Sequence, residues 1–154
     1  VGAAPAVSFT VFGTPIAQGS KRLGRHGPHP VILDSNDKVL RPWREAVKAA
    51  ALAVTNGRTV FARGTPVRMD VVFYLRRPAG HYGTGRNARQ LKPSAPRYPT
   101  GTPDVDKLIR SLTDAITDSG AWWDDSQVVM YGPTGKRYAD RCQPGAVVRL
   151  WVAP

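Results

Sequence analysis

Between Val67 and Leu75 every second side chain is large and apolar: Val67, Met69, Val71, Phe73 and Leu75. A period of two over this length marks a half-buried strand. One apolar face needs a second layer to cover it, and two segments have the helical spacing to supply that layer. From Ser35 to about Thr55, Val39, Trp43, Val47, Ala50 and Val54 recur at three- and four-residue steps. Ser35 or Asn36 is positioned to cap this helix and Asn56-Gly57 to end it, with the regular part expected to begin at Pro42. From Asp104 to Asp118, a second helix buries Leu108, Ile109, Leu112, Ala115 and Ile116 and stops at Gly120.

Ser8–Phe12 reads as an opening strand and Val31–Leu33 as a short one. Gln127–Tyr131 and Ala146–Val152 read as final strands joined by a Gly/Pro-rich basic connection. The order strand, helix, strand, helix, strand, strand predicts an α+β fold. We expect one small domain over residues 1–154, with two main helices packed on a mixed or antiparallel sheet. Two stretches stand outside this scheme. Gly13 to Pro30 is a basic loop or loose hairpin carrying Lys21, Arg22 and Arg25. Arg76 to Pro103 is a basic Pro/Gly-rich loop with Arg76, Arg77, Arg86, Arg89, Lys92 and Arg97 and no acid. A loop of that length is usually functional or disordered. Here it is expected to be mobile when free and ordered against phosphate.

Lysine and arginine total 22 against 11 acids, a formal net charge of +11. An excess of that size predicts a polyanionic partner such as nucleic acid. Yet six of the eleven acids are crowded between Asp104 and Asp125, where they would repel a polyanion. A divalent cation between carboxylate and phosphate reconciles the two, because Mg²⁺ is commonly bound by one or two carboxylates plus substrate phosphates. The combination points to a metal-dependent nuclease. The single Cys142 allows no intramolecular disulfide and no zinc-ligand set. No apolar run approaches the roughly 18 residues of a membrane span, and no signal-peptide pattern opens the chain. A cytoplasmic protein with no membrane partner is expected.

Asp104 and Asp106 flank the start of the second helix, where free N–H groups and the dipole favour negative charge. Alone they would read as a helix cap. The signal strengthens because the chain returns with Asp124-Asp125 directly before a strand, which can bring a third carboxylate beside the first two. Three such groups form a hard oxygen site for Mg²⁺, with Mn²⁺ as a possible substitute. Arg110, four residues from both Asp106 and Asp114, is either a helical ion-pair partner or a contact to the scissile phosphate. Trp122 and Trp123 could stack on bases, with core packing expected for at least one. His26, His29 and His81 are scattered and carry no assigned role. Gly132 to Arg137 faintly echoes a phosphate loop without the Walker spacing, so nucleotide hydrolysis is rejected.

Residues 103–129, PDVDKLIRSLTDAITDSGAWWDDSQVV, resemble the signature of the RusA family of Holliday-junction endonucleases. Gly13-Thr-Pro-Ile after the first strand is also similar to that family's opening. The resemblance implies a small homodimer that cleaves four-way DNA junctions with Mg²⁺. It places the essential aspartates on Asp104, Asp106 and Asp125, and puts Arg110 where the family carries a catalytic lysine. Lys107 stands where asparagine is usual. Lys107 and Lys136 join Lys21, Arg22, Arg25 and the cations of the 76–103 loop as expected DNA contacts. A four-way junction has approximate twofold symmetry, so a C₂ dimer could set two sites on opposing strands.

Overall fold

A computed structural model describes residues 2–154, with the side chains of Leu33 and Asp34 outside that description. Six strands and two helices follow in the order β1 (Val7–Phe12), β2 (Lys21–His26), β3 (His29–Asp34), α1 (Asp37–Thr55), β4 (Val67–Leu75), α2 (Val105–Ser119), β5 (Val128–Tyr138) and β6 (Gly145–Val152). Four strands form one sheet in the order β1-β6-β4-β5, and β2 and β3 pair as a separate hairpin turned at Gly27. The sheet is mixed: β4 runs parallel to β5 and antiparallel to β6, which is antiparallel to β1. The α+β expectation holds.

The alternation in β4 does the work it predicts. Val67, Met69, Val71 and Phe73 are fully buried, joined by Val7, Phe9 and Val11 of β1 and by Ala146, Val148 and Leu150 of β6. Leu40, Trp43, Val47 and Ala51 of α1 and Leu108, Leu112, Ala115 and Ile116 of α2 cover that face. Polar ties fix the layer. Ser111 Oγ donates to Ile16 O at 2.6 Å, the Gln18 amide donates to Lys107 O at 3.0 Å, and Arg44 pairs with Asp118 at 2.7 Å.

Four local expectations change. Val39 and Val54, expected on the buried stripe of α1, are exposed, and Leu40, Ala51 and Thr55 are buried instead, because the helix turns its stripe by one position toward the sheet. Helix α1 begins at Asp37, ahead of Pro42, which lies inside it. A proline there removes one amide bond to the carbonyl of Lys38, a residue exposed to water, so the helix tolerates it. Asn36 occupies the cap position without a side-chain cap; its Nδ2 donates instead to Ala17 O at 2.9 Å. Strand β5 continues through residues 132–138, which read as connection because of Gly132, Pro133 and Gly135. It is an edge strand, where proline is tolerated. Its pairing shifts register opposite Met69–Val71, and a Cβ on Gly132 would collide with the Asp70 carboxylate and the Arg68 guanidinium.

The 76–103 segment is a chain of tight turns with two 3₁₀ turns, Ala79–His81 and Gly85–Asn87, and a Tyr82–Leu91 bridge. Among the described residues no helix is long and apolar enough to cross a membrane.

Candidate functional site

Helix α2 starts one residue after Asp104, whose backbone is extended (φ −72°, ψ 139°) and whose side chain makes no capping bond. The cap reading therefore leaves this carboxylate unexplained. It pairs with Lys107 Nζ at 2.9 Å, and that hydrogen bond and charge hold the Asp104 carboxyl below its usual range. Asp106, in the first turn, is exposed. Lys136 Nζ from β5 donates to Gly101 O and to Pro103 O (2.7 Å), bracing the chain as it enters the helix. Its charge adds to the lowering at Asp104.

At its other end α2 closes on Gly120, in the left-handed region at φ 76°. The return then carries the Trp-Trp-Asp-Asp run. Trp122 is buried and its Nε1 donates to Thr117 Oγ1 at 2.7 Å; Trp123 is 63% exposed, with the Arg63 guanidinium 5.3 Å from its ring centroid. Asp124 caps a short 3₁₀ turn at Asp125–Gln127, accepting from the Ser126 amide at 2.9 Å; the Ser126 hydroxyl and then that amide lower its pKa. Asp125, exposed, lies 3.5 Å from Thr113 Oγ1.

That last contact corrects an expectation. The return brings Asp125 level with Thr113 and Asp114, roughly 10 Å along the helix from Asp106 at 1.5 Å rise per residue. Only five residues separate Ser119 from Asp125, too few to climb down the turn and run back along α2. Among the described residues no group of three or more His, Cys, Asp or Glu side chains converges on a metal position. The donors are hard carboxylate oxygens, chemically suited to Mg²⁺. Asp104 and Asp106 stand at the start of α2, while Asp125 lies with Asp114 farther along it. There, burial raises the pKa of Asp114 against the lowering by Arg44, with the Asp125 charge adding to the rise. Arg110, exposed between the two groups, pulls Asp114 back down.

The expected DNA contacts separate by placement. Lys21, Arg22 and Arg25 are exposed on the β2–β3 hairpin, and Arg76, Arg86, Arg89 and Arg97 are exposed along the loop. Lys92 is exposed and donates to Gly80 O at 2.8 Å. Lys107 spends its charge on Asp104. Arg77 departs from the expectation: it is buried, paired with Asp140 at 2.7 and 2.8 Å, bonded to Pro96 O and stacked 4.0 Å over Tyr138. It fastens the loop to the end of β5 and faces no solvent.

Gln127 is a positioning residue that composition does not reveal. Buried, it donates through Nε2 to Ala62 O and Thr65 O, while its Oε1 accepts from the Trp123 and Asp124 amides. It clamps the acidic return to the segment before β4. The signal was its place two residues after Asp125 at a strand start.

Among known proteins, residues 13–150 match the family described as endodeoxyribonuclease RusA. Over 124 residues the chain is 30% identical to a protein of Bacillus subtilis (strain 168), uncharacterized protein YqaN, covering 80% of this chain and 82% of that one.

Proposed function

The chain belongs to the RusA family of endodeoxyribonucleases, and from that premise we propose that it is a Mg²⁺-dependent, structure-selective nuclease that resolves four-way junctions by paired nicks. The observation carrying this reading is the pair Asp104 and Asp106 at the open start of α2, on an otherwise basic surface and braced by Lys136. Asp104 and Asp106 would hold the ion, and Asp125 would complete the set from the partner protomer of a twofold dimer. When bound, the ion would polarise the phosphoryl group, activate water and stabilise the leaving oxygen. Arg110 keeps a fixed cationic fork one turn from Asp106, suited to charge on phosphate and unsuited to proton transfer. The exposed cations of the hairpin and loop would neutralise the arms.

The test is nicking of a labelled immobile four-way junction with Mg²⁺, beside an EDTA control and a matched duplex. Symmetric nicks near the crossover, lost with EDTA and absent on duplex, are expected. Asp106→Asn should abolish them and leave junction binding intact; normal cleavage by that variant sinks the site assignment.

The Lys107–Asp104 pair favours a second reading, a DNA-binding protein whose site no longer takes metal. Tight junction binding without nicking in Mg²⁺ or Mn²⁺ is the outcome that selects it. Faster cutting of flaps or forks than of four-way junctions would redirect the substrate and keep the chemistry.

A further inference from the structure

Beyond the helix that Asp104 precedes, a hollow of about 550 Å³ opens between the loop at Arg97–Tyr98 and the end of β5, lined also by Tyr74, Arg137, Asp140 and Arg141. We propose that this hollow binds one unpaired nucleotide of the strand that passes Asp104, an inference that rests on the nuclease reading of that site.

The chemistry of the lining matches both halves of a nucleotide. Arg97 and Arg137 place their guanidinium carbons 5.3 and 5.8 Å from the Tyr98 ring centroid. Among the described residues neither of these arginines nor Arg141 has an ion pair or a hydrogen bond to a protein acceptor. Asp140, the acid in the lining, is already taken by Arg77 in two short bonds. The hollow is therefore net cationic, with donors available for phosphate, and a base can stack on Tyr98, a 44% exposed residue, or on the guanidinium planes that lie over its ring.

The site is also built. Buried Arg77 stacks on Tyr138, grips Asp140 and donates to Pro96 O at 2.7 Å, which joins the loop just before Tyr98 to the far wall. Alternation along β5 sets its distance from the carboxylates. Lys136 pairs with Phe73 and reaches toward Pro103, while Arg137 pairs with Tyr74 on the opposite face. Successive residues are about 3.3 Å apart and β5 is the sheet edge, so a strand held at Lys136 has only to round that edge. A base inside a duplex is already stacked on both sides and cannot meet Tyr98. The occupant is an unpaired one, as at a branch point or flap.

Fluorescence anisotropy of labelled hexathymidylate in EDTA tests this without any cleavage. Tyr98→Ala should weaken binding on the order of tenfold, and Tyr98→Phe should hold it near wild type. Arg137→Ala, at an exposed position that threatens no core, should also weaken it. That variant should flatten the salt dependence by roughly 0.7 in log–log slope for the phosphate lost. Wild-type binding by both alanine variants overturns the proposal, as does displacement by duplex equal to displacement by unlabelled hexathymidylate. Failure of wild type to nick a junction in Mg²⁺ would remove the nuclease reading and leave the oligonucleotide result to judge the hollow by itself.

Discussion

Asp104, just before α2, and Asp114, within it, are pushed in opposite directions. Lys107 stabilises the charged form of Asp104, so its contribution is present above the ordinary carboxylate pKa and disappears as pH falls through the lowered value. Burial penalises the charged form of Asp114. A carboxyl with a raised folded pKa binds its proton more tightly in the native state, so stability falls as pH rises through that window. At neutral pH the charged Asp114 is a cost. Asp114→Asn should therefore raise Tm at neutral pH, and thermal melts should show the gain shrinking as pH drops to the ordinary carboxylate range. Lys107→Asn addresses the other group: with Asp104 released, half-maximal nicking should need less Mg²⁺, and an unchanged Mg²⁺ titration would show that the ion pair does not compete with metal.

At the scale of elements, the return from α2 to β5 depends on two features. Gly120 supplies the left-handed residue that ends the helix, and Gln127 satisfies two carbonyls and two amides that would otherwise be stranded between the return and the segment before β4. Gln127→Leu keeps the volume and removes all four bonds. Each such group left buried and unpaired costs about 1–3 kcal/mol, and water replaces the bonds of those that reach the surface. Urea unfolding should register a loss of that order, with nicking reduced beyond it because Asp125 loses its anchorage. A stability loss with full activity per folded molecule would confine Gln127 to a structural role.

The whole molecule poses the question of how divided carboxylates act together. If Asp125 completes the site of a second protomer, mixing Asp106→Asn with Asp125→Asn subunits should restore nicking. One of the two composite sites in the mixed dimer then carries no substitution. Each variant alone should be inactive. If each site is built within one chain, every site in the mixture carries a lesion and activity stays absent. Sedimentation at working concentration should show the dimer that the scheme requires.

Periodicity alone determined the strand at Val67–Leu75, both helices and the buried face of α2, because burial of a regular element leaves its period in the residue pattern. On α1 the stripe is turned, with Val39 and Val54 exposed and Leu40, Ala51 and Thr55 buried beside Trp43 and Val47. The Asp-x-Asp start of α2 and the Asp-Asp return were also legible, since spacing within one helix and one turn is local information. Other outcomes depended on tertiary contacts. The same arginine type is buried at 77 and exposed at 76, and only the Asp140 carboxylate brought up by the β5–β6 connection decides between them. Gly132 and Pro133 lie in a strand because β5 runs along the sheet edge beside Asp70, where a Cβ at 132 would not fit. Asp125 meets Thr113 instead of Asp106 because the turn after Gly120 is short, a matter of chain length in three dimensions. Local order follows from the residues themselves; which charges end up facing each other follows from how the elements are stacked.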